Sequence, residues 1–245
     1  MLRAVRFAAK LGFRIEEDTQ APILDLAPLL DGVPAARLFE EVLKLFQGGH
    51  ALESLRGLDR FDLLPRLVPE TAASLERDPS GRALLERAFA NTDRRLAEDL
   101  PISPGFLVAT LLWAPVREQA QAIREKGRAR SQGEALAAAA DAALGVQAKR
   151  TSIPRRWSAM ARDIWTMQPR LESRRPRRVD LTIAHPRFRA AYDFLCLRAE
   201  AGEPVEERAA WWTEAQENGE GPDQAVGRAH RRRRRRRASR RNRAA

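Results

Sequence analysis

Ten of the twelve charged side chains between positions 149 and 178 are cations. Lys149, Arg150, Arg155, Arg156, Arg162, Arg170, Arg174, Arg175, Arg177 and Arg178 face only Asp163 and Glu172, a local charge of +8. Trp157 and Trp165 are interleaved with them. Guanidinium groups pair bidentately with phosphate, and aromatic faces stack on unpaired bases, so this mixture has the chemistry of a groove for single-stranded nucleic acid. For the arginines RNA is the favoured reading, because no acidic partner lies nearby in sequence. For the two tryptophans, eight residues apart, the favoured reading is different: core anchors of one helix.

A second concentration of arginine ends the chain. From Arg228 onward there are 11 arginines and no acid, so the preceding 227 residues carry 33 basic and 33 acidic side chains. The net charge of +11 belongs to the tail, and the body is neutral. Arg231, Arg232, Arg233, Arg234, Arg235, Arg236 and Arg237 are consecutive. Such a run repels itself and buries nothing, which predicts disorder until a polyanion arrives. An RNA-binding arm is favoured over a low-complexity terminus, since arginine matches phosphate geometry.

Two charged stripes occur near the start. Arg3, Arg6 and Lys10 stand at i, i+3 and i+7, beside an apolar stripe of Leu2, Val5, Ala9 and Phe13 that Phe7 and Leu11 widen. Arg37, Glu41 and Lys44 stand at i, i+4 and i+7. Pairs at this spacing stabilise an exposed helix by about 0.2–0.5 kcal/mol each, and by themselves they read as a solvated face.

The elements that carry these residues are helices. The first opens without an N-cap residue, which fits either a frayed terminus or a helix whose front lies in a longer chain. "VPAARLFEEVLKLFQGG" starts at Pro34 and stops at Gly48-Gly49, with Leu38, Val42, Leu45 and Phe46 as its apolar face. "GRALLERAFANTDRRLAEDL" and "GFLVATLLWAPVREQAQAIREKG" are amphipathic, and "GEALAAAADAALG" is helical by propensity. Residues 180–216 read as two helices parted at Gly202 to Pro204, with His185 as a turn or capping residue. No run of alternating β-branched residues occurs, so the class is all-α.

Composition removes several classes of function. A single cysteine, Cys196, excludes an internal disulfide and a Cys-rich zinc site, and three scattered histidines give a metal site no support. No apolar stretch has the length of a membrane span and no signal-peptide pattern opens the chain, so a soluble, cytoplasmic protein is expected.

At "MLRAVRFAAKLGF", at "VPAARLFEEVLKLFQGGHALESLRGL", and again at "HPRFRAAYDFLCLRAEAGEP" with "AAWWTEAQ", the chain resembles bacterial poly(A) polymerases. These belong to the class II nucleotidyltransferase superfamily, which also holds the bacterial tRNA CCA-adding enzymes. The resemblance covers essentially the whole chain, and its late part favours the polymerase branch. The superfamily's catalytic head carries a Gly-Ser turn leading into an Asp-x-Asp pair that holds two metal ions, and this sequence has no such combination. The chain is therefore expected to be the middle and end of a longer protein, starting at an internal methionine just after the family's Glu-Asp-x-x-Arg motif.

The resemblance further implies an all-α neck over 1–58 on the side of the nucleotide cleft, to which no RNA contact is assigned. A helical body over 59–148, a helical RNA-binding region over 149–216 and a disordered tail over 217–245 follow. Arg3 and Arg6 would lie by the nucleotide cleft, and Arg37, Glu41 and Lys44 would form a neck motif bracing it. The RNA contacts would be Arg155, Arg156, Arg174, Arg175, Arg177, Arg178 and the seven tail arginines. ATP and Mg²⁺ are cofactors of the intact family enzyme, none being bound by this chain alone, and no catalytic residue is assigned here. The implied partners are RNA and a separately encoded head domain. The competing readings are a fragment of a tRNA CCA-adding enzyme and a stand-alone RNA-binding module.

Overall fold

The computed structural model describes residues 1–173 and 179–217. Among them there is no strand, and the chain is all-α as its sequence predicts. In order, the helices are α1 (Leu2–Leu11), α2 (Glu17–Leu26), a 3-10 helix (Ala27–Gly32), α3 (Ala35–Phe46), α4 (Ala51–Arg60), α5 (Leu64–Leu67), α6 (Pro69–Arg77) and α7 (Gly81–Ala97). After these come α8 (Pro104–Leu111), α9 (Trp113–Glu125), α10 (Gln132–Arg150), α11 (Arg155–Leu171), α12 (Val179–Ile183), α13 (Phe188–Glu200) and α14 (Glu206–Glu217). They form two compact units, Met1–Thr166 and Met167–Ala245, with the boundary inside α11. The disorder expected of the tail falls on residues outside the described set.

In the first unit α3 is the central strut. Leu38, Phe39, Val42, Leu45 and Phe46 are all buried on it, and the Phe46 ring stacks on Phe89 of α7 with centroids 4.4 Å apart. Stacked aromatics add about 0.5–1.5 kcal/mol beyond the area they bury. Helix α4 has no capping side chain of its own; Asp93 of α7 accepts from the amides of Ala51 at 2.6 Å and Leu52 at 3.1 Å. A first-turn orphan pair is thereby satisfied from across the unit.

The amphipathic stretch over 105–127, which Pro115 punctuates, is two helices, since α8 ends at Leu111 and α9 begins at Trp113 with Pro115 in its first turn. Proline has no amide for a helix interior but suits a first turn, which places the break there. Helix α10 packs on α9, and its buried Ala135, Ala139, Ala140 and Ala143 are small side chains that permit close approach of neighbouring helices. Its start is fixed by Ser131, whose hydroxyl accepts from the Glu134 amide at 3.1 Å, while Glu134 accepts in return from the Arg130 amide at 2.8 Å.

In the second unit α13 packs on α14 and on α12. Its core gathers Leu171, Ile183, Phe188, Ala191, Leu195, Val205 and Trp212. Trp212 is fully buried and donates its indole N–H to the Leu171 carbonyl at 2.9 Å, and Trp211 meets it edge-on with centroids 4.9 Å apart. His185 is a turn residue: its Nδ1 accepts from the Arg187 amide at 3.1 Å.

Candidate functional site

Packing of α1 against α3 and α4 creates the basic constellation of the first unit. Leu2 and Val5 are buried, and Val5 sits so close to α4 that a Cβ on Gly57 would fall 2.6 Å from Val5 Cγ1. Gly57 is what allows α1 to lie that near. The rest of the apolar stripe predicted on α1 is not core: Phe7, Leu11 and Phe13 are 47%, 52% and 67% exposed. Helix α1 stops at Gly12, whose φ of +67° is the left-handed conformation that favours glycine, so Phe13 leaves the helix altogether.

This arrangement turns Arg6 toward α3. Its Nε stands 3.8 Å from Glu41 Oε2, and its guanidinium lies 4.6 Å from the centre of the Phe7 ring. Lys44 donates to the other Glu41 oxygen at 2.9 Å. Glu41 is only 20% exposed, so this part of the stripe is withdrawn from solvent, whereas Arg37 and Lys44 are exposed. Arg3, Arg37, Glu41 and Lys44 line one cleft of about 430 Å³. Five of the six charged residues singled out near the start of the sequence are thus brought together, four in this cleft and Arg6 through Glu41. A neighbouring cleft of about 230 Å³ adds Lys10, Gln47, His50 and Ser54 beside Arg6 and Lys44. Of these four only Lys10 gave a sequence signal, its i+7 position after Arg3; the others come from the turn and helix that follow α3.

The one-sided charge of 149–178 divides once partners are located. Arg150 pairs with Asp31 at 3.0 Å and donates to the Arg66 carbonyl, and Arg162 grips Asp141 with two hydrogen bonds of 2.6 and 3.1 Å. The expectation that these arginines lack acidic partners is corrected for both, because the acids come from more than twenty residues away. Arg155 and Arg156, at the exposed start of α11, have no carboxylate partner among the described residues. The Arg156 guanidinium lies 4.6 Å from the centre of the half-buried Trp157 ring. Trp165 is fully buried and donates to the Ala109 carbonyl at 3.0 Å, a core anchor as expected. Arg174, Arg175, Arg177, Arg178 and Arg231 to Arg237 lie outside the described residues.

Among the described residues no group of three or more His, Cys, Asp or Glu gathers closely enough to hold a metal ion. Burial pushes the Cys196 thiol up, away from the thiolate that a nucleophile needs. No described helix is long and apolar enough to cross a membrane. What the exposed chemistry can do is bind anions.

Comparison with known proteins agrees with that chemistry. The family described as "Probable RNA and SrmB- binding site of polymerase A" matches residues 12–75, and the one described as "Polymerase A arginine-rich C-terminus" matches 128–244. Poly(A) polymerase I of Escherichia coli O6:H1 is 40% identical over 220 residues, which are 88% of this chain and 47% of that protein. Poly(A) polymerase I of Haemophilus influenzae is 38% identical over 231 residues, 92% of this chain and 51% of its own length. A CCA-adding enzyme of Latilactobacillus sakei is 35% identical over 122 residues, 49% of this chain. The chain spans about half the length of the polymerases it matches.

Proposed function

This chain belongs to the bacterial poly(A) polymerase family, and on that footing we propose that it is the RNA-gripping part of an enzyme that adds AMP from ATP to RNA 3′ ends. The observation that carries the reading is the pair of uncompensated arginines at the start of α11 beside Trp157, within the region matched to the arginine-rich C-terminus. Free guanidinium groups release counterions from phosphates, and a half-exposed indole offers a stacking face. A CCA-adding role is not adopted, because the polymerase matches run along 88% of the chain and the CCA-adding match along 49%.

In this proposal ATP and Mg²⁺ serve a head domain carried elsewhere, encoded upstream or separately, and the site of action is the cytoplasm. Arg3 and Arg6 border the nucleotide cleft, and Arg37, Glu41 and Lys44 brace it. Arg155, Arg156 and the arginines of 174–178 and of the tail hold the RNA. The chain by itself then binds RNA without transferring AMP, in keeping with a sequence that has no Gly-Ser turn leading into Asp-x-Asp.

The test has two arms. Labelled ATP, Mg²⁺ and a short RNA are incubated with the full chain, and RNA binding is measured across a salt series. No AMP incorporation together with steeply salt-sensitive binding is expected, and deletion of residues 228–245 should flatten the salt dependence. AMP incorporation, or an RNA affinity indifferent to salt, overturns the reading.

A further inference from the structure

The smaller of the two clefts in the first unit forms where the C-terminal half of α1 meets the end of α3 and the start of α4. Arg6, Lys10 and Lys44 line it together with Gln47, His50 and Ser54, and no carboxylate does. Ser54, 1% exposed, closes the inner end of the lining. One donor of the cleft is out of water and unused. Arg6 Nε is buried without a hydrogen bond, as is Glu41 Oε2, 3.8 Å from it. A buried polar group left unpaired costs about 1–3 kcal/mol, and native proteins keep few of them. Three cations facing a space that no carboxylate lines call for an anionic ligand.

We propose that this cleft is a phosphate-binding site, filled in the RNA complex by a backbone phosphate of a single strand. Three cations drawn from two helices, less the one that Glu41 engages through Lys44 at 2.9 Å, leave two positive charges, which suits the one or two negative charges of a phosphate. Lys44 lines both this cleft and the adjoining one that holds Arg3 and Arg37. The RNA source rests on the function proposed above; the phosphate site does not.

Two probes separate these statements. Inorganic phosphate titrated into the isotopically labelled full chain should shift the amides of Gln47, Gly48, Gly49 and Ser54 saturably, and Lys10→Gln should abolish the shifts. Lys10 is exposed, so its replacement leaves the fold intact. With a short single-stranded RNA, Lys10→Gln should weaken binding several-fold and lower the salt slope by about one. Ser54→Ala, which removes a neutral donor, should weaken binding with the slope unchanged, and phosphate should compete with RNA. Phosphate shifts with an unaltered RNA slope in Lys10→Gln would overturn the backbone source. If phosphate shifts none of these amides and both variants bind RNA as the parent does, the site is refuted and the RNA reading stands. Phosphate shifts in a chain that binds no RNA would keep the site and remove the RNA reading.

Discussion

Arg6 in the first unit and Arg198 in the second are both arginines drawn out of water, held in opposite ways. The Arg198 side chain is 6% exposed and its donors are engaged by Gln168 at 2.9 Å, Glu172 at 2.6 Å and Glu203 at 2.8 and 2.9 Å. The Arg6 side chain is 19% exposed, and its Nε stops 3.8 Å short of Glu41. Both are cations in a low-dielectric setting, but only the first has acceptors for its directional donors. The difference teaches that counting arginines does not locate an anion site. What locates it is the balance of acceptors around each guanidinium.

The largest effect expected from this contrast is on stability. Arg198→Met leaves two carboxylates and an amide withdrawn from solvent without their donor, and should cost about 3–5 kcal/mol in urea denaturation. The salt slope of RNA binding should not move. A variant that unfolds like the parent would show that the second unit does not depend on this knot.

Next comes the wall of the basic cleft. Gly57→Ala places a methyl 2.6 Å from Val5 Cγ1, an overpacking of about 1–3 kcal/mol that the better helix propensity of alanine offsets by up to about 1 kcal/mol. Net destabilisation with weakened RNA binding is expected, because α1 carries Arg3, Arg6 and Lys10. Unchanged stability would mean that α1 is not braced on α4 at all.

Arg6→Gln sharpens the contrast most directly. Stability should change by less than about 1 kcal/mol, since no hydrogen bond of its Nε is lost, while the salt slope should fall by about one. A loss as large as that of Arg198→Met would place Arg6 among the structural ties.

The smallest effect belongs to a third arrangement, exposed and fully paired. Glu118 accepts from Arg77 at 2.7 and 2.9 Å and from the Ser74 hydroxyl at 2.8 Å. The Arg77 hydrogen bond first, and Ser74 after it, hold its carboxyl below the ordinary 4.5. A carboxylate lowered in the folded state adds stability above its unfolded value and loses it as pH falls through the lower folded one. The advantage of the parent over Glu118→Gln should therefore shrink on acidification from 4.5 downward, from a starting size of about 0–1 kcal/mol for a surface pair. An advantage independent of pH would show that the pair is silent.

Much of the frame was legible residue by residue. The apolar face of α3, the alanine-rich α10 and the turn at His185 follow from periodicity and local propensity, which act over three or four residues. Other features were closed to that reading. The cap of α4 comes from Asp93, more than forty positions away, so nothing beside His50 announces it. The exposure of Phe7 and Leu11 depends on how far α1 leans on Gly57. Arg150 and Arg162 read as free cations because their acids, Asp31 and Asp141, approach only when distant helices pack. In the candidate site, Arg3, Arg6, Arg37, Glu41 and Lys44 were each visible, but Gln47, His50 and Ser54 were not.

By itself, then, the sequence determined an all-helical chain with a neutral body and its excess charge confined to the last residues. Those properties are sums or short-range patterns, and any fold of the chain keeps them. Only the tertiary structure decided which cations are engaged and which stay open to an anion. An ion pair or hydrogen bond forms over a few ångströms, and at that range neighbours are chosen by packing rather than by position along the chain.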